Sequence, residues 1–84
     1  MITILPLNPR TLRDIRKHGL TRKFEKQCAL LSQNFTHPSL NVERLEPKDE
    51  HIYSFRIDLR YRALFVFEPE YNAIEILAVT MHYQ

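Results

Sequence analysis

Between Ile52 and Phe67 the chain reads IYSFRIDLRYRALFVF, and its apolar residues fall at every second position. From Tyr53 the run places Tyr53, Phe55, Ile57 and Leu59 on one side, with Ser54, Arg56 and Asp58 between them. That is the period of a half-buried strand. After Arg60 a second run puts Tyr61, Ala63, Phe65 and Phe67 on one face and Arg62, Leu64 and Val66 on the other. Two such runs predict a hairpin. A turn centred near Leu59 makes Arg56 and Arg62 cross-strand neighbours on the same face.

The rest of the chain supplies elements that pack against this hairpin. Met1–Leu5 is a short apolar run stopped by Pro6 and is expected as a strand. Asn8-Pro9 is a helix start, with Asn as N-cap and Pro at the first helical position. The helix is expected to reach about Lys17, burying Leu12 and Ile15, and His18-Gly19 closes it. Thr21 is a candidate cap for a second helix to about Asn34, whose apolar stripe is Phe24, Cys28, Leu31 and Phe35, flanked by Leu20 and Leu30. Thr36–Asn41 has the composition of a loop, and Val42–Glu46 of a short strand. The turn Glu68–Asn72 then leads to a β-branched last strand, Ala73–Thr80. The order β-α-α-β-β-β-β predicts an α+β domain: a helical hairpin on one face of an antiparallel-rich sheet of four to five strands.

Length makes 1–84 a single small domain, able to bury roughly 60–65% of its unfolded surface. The lone cysteine, Cys28, excludes an internal disulfide and a cysteine-based zinc site, and within the stripe it reads as a packed thiol. No apolar run reaches the length of a membrane span, and Met1–Leu5 lacks the flank of a signal peptide. A cytoplasmic protein is the expectation. One glycine leaves few positions for a phosphate-cradling loop.

Charge changes the picture more than composition does. Residues 10–26 carry seven of the twelve basic side chains (Arg10, Arg13, Arg16, Lys17, Arg22, Lys23, Lys26) against Asp14 and Glu25. That segment is therefore +5 in a chain of net +2, and the remainder is −3. Such a patch attracts polyanions through counterion release. A solvated helix face or a surface for an acidic protein partner has the same charge pattern.

No nucleotide-binding loop, zinc-peptidase helix or serine elbow is present, and His18, His37, His51 and His82 lack the spacing of helical metal ligands. Neither a metal nor a cofactor is expected. What remains is a distributed set. Arg56 and Arg62 offer planar forks for phosphate oxygens. His82 can pass a proton near neutrality, and Glu43 can take one. Together they suffice for metal-free attack of a ribose 2′-hydroxyl on its own 3′-phosphate. A solvated sheet face, or pairing of the arginines with Asp58 or Glu68, accounts for the same pattern without chemistry.

The segments HPSLNVERLEPK, IYSFRIDLRYRALFVFE and IEILAVTMHYQ resemble the RelE/ParE superfamily of toxins from type II toxin–antitoxin systems, nearest the RelE/YoeB-like mRNA interferase branches. The resemblance covers nearly the whole chain and implies a RelE-like domain that cleaves mRNA on the ribosome. It implies Glu43 as general base, Arg62 as the group that steadies the transition-state phosphate and His82 as general acid. Arg56, Tyr83 and Lys48 would be substrate contacts. Its implied partners are a cognate antitoxin, the ribosome and mRNA, with no membrane and a free toxin that is a monomer or weak dimer. A ParE-like relative that inhibits DNA gyrase and cuts nothing, or an inactive member of the fold, shares the same pattern. One extra residue, Gln84, follows the His-Tyr pair, and the turn before Arg62 is shorter than in the resembling chains.

Overall fold

Alternation in the central run is realised as a hairpin whose two strands sit in the middle of a five-stranded sheet. A computed structural model describes residues 1–81. Its elements are β1 (Thr3–Ile4), α1 (Pro9–Lys17), α2 (Thr21–Gln33), β2 (Glu43–Arg44), β3 (Tyr53–Arg56), β4 (Tyr61–Glu68) and β5 (Ala73–Met81), with short 3-10 turns at Pro38–Leu40, Lys48–Glu50 and Pro69–Tyr71. The spatial order is β1-β5-β4-β3-β2. Only the β1–β5 contact is parallel, so the sheet is mixed and mostly antiparallel. Two helices on such a sheet make the expected α+β domain.

Period two sorts the side chains. Phe55, Ala63 and Phe65 face the helices and are fully buried. Ile15, Leu20, Phe24 and Leu31 come down from α1 and α2 to meet them, with Ile74 and Ile76 from β5. Phe65 joins Phe35, Tyr53 and Phe55 in one aromatic cluster, ring centroids 5.7–5.9 Å apart. Each buried aromatic of this kind contributes on the order of 2–3 kcal/mol of transfer free energy. Among the described residues no helix lies over the opposite face of the sheet.

α1 follows its sequence signals. Asn8 is the N-cap, its Oδ1 accepting from the Thr11 amide at 2.8 Å, and Pro9 is the first helical residue. Gly19, at φ +63°, sits in the left-handed conformation that ends the helix.

Several expectations need correction. Leu12 is 36% exposed, and Thr11 is the residue buried beside Ile15, its hydroxyl donating to the Leu77 carbonyl. α2 is preceded by Leu20, which caps with no side chain, so Thr21 is the first helical residue and not the cap. α2 also buries Gln27, between Phe24 and Leu31, while Cys28, half-buried, packs against the core as expected. β3 stops at Arg56. Asp58 Oδ1 accepts from the amides of Arg60 and Tyr61, both at 2.8 Å, and turns the chain, so Ile57 stays buried but Leu59 is 79% exposed. Thr36–Asn41 contains a helical turn that sends Leu40 into the core. Val42–Glu46 contributes a strand of only two residues, Glu43–Arg44.

Candidate functional site

Directly paired residues of an antiparallel ladder project to one face. Arg56 pairs with Arg62, and Arg62 with Thr80. Ser54 pairs with Glu43 on one side and Leu64 on the other. Glu43, Ser54, Arg56 and Arg62 therefore share the face without helices. The cross-strand arginine pair expected from the spacing is present.

The two arginines differ in how they are held. Arg56 is half-buried. Arg62 is only 4% exposed although it lies on the open face. Its side chain runs across β3: Nε donates to Ser54 Oγ at 2.9 Å, and Nη2 donates to the Asn41 carbonyl and, at 3.3 Å, to the Ser54 carbonyl. Among the described residues Nη1 has no partner. The guanidinium is thus anchored through Nε and Nη2 and offers Nη1. Burial lowers its pKa from the ordinary arginine value, Glu43 opposes that shift, and Arg56 adds to it. Neither alternative partner named by the sequence is used. Asp58 pairs with Lys23 at 3.1 Å, the one ion pair among the described residues.

Glu43 is exposed on edge strand β2, two strands and two residues from Arg62. Strand spacing and rise place the two backbones about 12 Å apart. Arg62 closes part of that distance by lying across β3 to Ser54, the residue paired with Glu43, so the two opposite charges act on each other. Lys48 is not part of this group. It sits in the β2–β3 connection, at least three residues, or about 10 Å, along the hairpin from Arg56. Its carbonyl accepts from Arg44 Nη2 at 2.7 Å and Nε at 3.1 Å. His82 and Tyr83 lie outside the described residues.

Three further residues matter. Ser54, 2% exposed, is the polar partner of the buried guanidinium. Asn41, left-handed at φ 44°, supplies the second acceptor. Gln27 Nε2 donates to the Arg56 carbonyl at 2.8 Å and the Ser39 carbonyl at 3.1 Å, tying α2 to the end of β3. A glutamine at helical spacing between Phe24 and Leu31 is the one sequence signal that points to such a buried polar tie. Among the described residues no group of three or more His, Cys, Asp or Glu is placed to hold a metal ion, and no helix is long and apolar enough to cross a membrane.

No family model and no curated protein matches the chain by sequence. Solved structures match over nearly its whole length. The YoeB–YefM complex from Staphylococcus aureus superposes with a TM-score of 0.72 at 19% identity, over 99% of both chains. The archaeal RelE–RelB complex from Pyrococcus horikoshii gives 0.76 at 15% identity, over 95% of this chain and 93% of that one. This is the RelE-like toxin fold. A YoeB/ParE toxin from Agrobacterium tumefaciens has it too, with a TM-score of 0.74 at 12% identity, over 98% and 100% of the two chains. In this RelE-like chain the arginine pair lies on the sheet face turned away from the helices, and seven exposed basic residues lie on the helical side.

Proposed function

We propose that the chain is the toxin of a type II toxin–antitoxin pair and acts as a ribosome-dependent endoribonuclease that cleaves mRNA and arrests translation. The observation that carries this reading is the Arg56–Arg62 pair, one guanidinium half-exposed and the other anchored by Ser54, with the Glu43 carboxylate one strand beyond. Arg56 meets the backbone phosphate first. Arg62 presents its unpartnered Nη1 to the phosphate as charge builds on it.

The reaction needs no metal in this scheme, because side chains supply each role. Glu43 takes the proton from a ribose 2′-hydroxyl, the O2′–P bond forms, and the P–O5′ bond breaks to leave a 2′,3′-cyclic phosphate. His82 gives the leaving 5′-oxygen its proton, and Tyr83 helps place the nucleotide. A preorganised guanidinium at the developing charge is worth on the order of 10²–10³ in rate.

Two of the solved structures of this fold are toxin–antitoxin complexes. An acidic or amphipathic antitoxin segment, docked over the sheet edge or the basic helix face, is the partner this reading implies. Ribosome affinity would come largely from residues 10–26, falling steeply with salt. Mapping mRNA 5′ ends on translating ribosomes, with and without the protein, tests the reading. Cleavage in the A site is the expected outcome. Intact mRNA alongside inhibited DNA gyrase would replace it with the ParE-like alternative.

A further inference from the structure

The turn joining β3 to β4 has two sides. Arg62 points to the open face, and its neighbour Tyr61 points the other way, toward the junction of α1 and α2. There the exposed ring of His18 stacks on Tyr61, centroids 5.0 Å apart and planes 30° from parallel. The Tyr61 hydroxyl lies 3.3 Å from His18 Nδ1. Beside this stacked pair opens a cleft of about 410 Å³, with Leu20 and Leu59 in its wall and Lys23 and Arg60 at its rim.

Charge in the cleft favours an anion. Its one carboxylate, Asp58, stands against two cations: Oδ1 accepts from the amides of Arg60 and Tyr61, and Oδ2 from Lys23 Nζ, which keeps two further N–H donors. Further from the cleft, Arg16 and Lys17 end α1, and Arg22 and Lys26 are exposed on α2. An acidic peptide would satisfy the cations but leave the aromatic pair and the apolar wall without a use. A planar base satisfies both.

We propose that this cleft takes one nucleotide of a single-stranded RNA, its base extending the Tyr61–His18 stack and its phosphate lying between Lys23 and Arg60. Aromatic platforms beside cations are the usual means of holding single strands without reading their sequence. The site is separate from the Arg56–Arg62 face and does not depend on that face cutting RNA. A strand passing round the end of the β3–β4 hairpin would touch both.

The test is fluorescence anisotropy with labelled hexauridylate and the full chain, without ribosomes. The comparison ligands are a ribose-phosphate oligomer of equal length lacking bases, and hexaglutamate as competitor. Replacing a stacking side chain by alanine costs about 1–3 kcal/mol per base, so His18→Ala should weaken hexauridylate about 5- to 150-fold. The same substitution should leave the abasic oligomer unchanged, and His18→Phe should keep the affinity. Arg60→Ala should weaken both ligands, and Arg44→Ala, on edge strand β2, should weaken neither by as much. Thermal unfolding of each variant checks the fold. Equal affinity for the abasic oligomer, equal competition by hexaglutamate, or unchanged binding in His18→Ala and Arg60→Ala would each overturn the proposal.

Discussion

Phe65 and Arg62 are both buried in the same strand, and they are buried for opposite reasons. Phe65 faces the helices and is enclosed in the apolar core, with Phe35, Tyr53 and Phe55 against its ring. Arg62 faces the side without helices and is enclosed because its own hydrogen bonds lay it flat across Ser54 toward Asn41. The first kind of burial stabilises by removing apolar surface from water. The second holds a charge at the cost of desolvating it, which a protein tolerates when the donors are matched. Low exposure therefore marks the core on one face and a prepared cation on the other.

The contrast predicts a ranking of substitutions. Phe65→Ala should be the most damaging, losing about 3–5 kcal/mol by cavity formation, read as a fall in the urea midpoint. A loss under 1 kcal/mol would mean the aromatic cluster is not the core. Ser54→Ala removes one acceptor and leaves the buried Nε unpaired, which costs about 1–3 kcal/mol. It should also lower cleavage by up to about 10²-fold if Arg62 acts as proposed, because its guanidinium loses an anchor. Ribosome binding should be unchanged in that variant, and a variant with weakened binding and intact cleavage would contradict the anchoring role. Asp58→Ala deletes the acceptor of two turn amides and should cost about 0.5–2 kcal/mol, by analogy with helix caps. Leu64→Ala, on the open face and half-buried, should fall below the Phe65 loss by a factor of several.

The smallest effect appears only in alkali. Burial, with Glu25 adding to it, pushes the Cys28 thiol up from 9.0 to about 12. Between those values the unfolded chain gives up this proton and the folded chain keeps it. Stability must then fall as pH rises from 9 toward 12. Denaturation at pH 8 and pH 10 should show that fall in the parent and a shallower one in Cys28→Ala. An identical slope in both would place the effect elsewhere.

How much of this was legible beforehand follows from the same contrast. Alternation found the hairpin, its turn and the Arg56–Arg62 pair, because a pleated strand sends every second side chain to one face whatever surrounds it. Asn8-Pro9 and Gly19 likewise act through their own backbone. Burial of Gln27, Thr11 and Leu40 was not legible, since each depends on a partner distant in sequence: Arg56 and Ser39 for Gln27, Leu77 for Thr11, α2 and β3 for Leu40. The two-residue length of β2 was hidden for a similar reason. Val42 packs inward and Leu45 is bonded to Ile52, but only Glu43 and Arg44 pair in the ladder with β3. The anchoring of Arg62 needed Ser54 eight residues away and Asn41 twenty-one away, a geometry no local pattern encodes. The likeness to RelE/ParE toxins found the fold where local rules stopped short of it.

Single-turnover cleavage on programmed ribosomes measures most directly whether Arg62 acts at the phosphate. Arg62→Ala should lower the rate by about 10²–10³ while ribosome binding persists. Arg62→Lys should recover only part of it, because a single ammonium cannot keep the bonds to Ser54 and Asn41 and also face the phosphate. His82→Ala should cost about 10²–10⁴ as the leaving-group proton donor is lost. Glu43→Gln should be the mildest of the set. Circular dichroism on each variant separates lost chemistry from lost fold. Full cleavage by a folded Arg62→Ala protein would contradict the assignment of this face as the catalytic one.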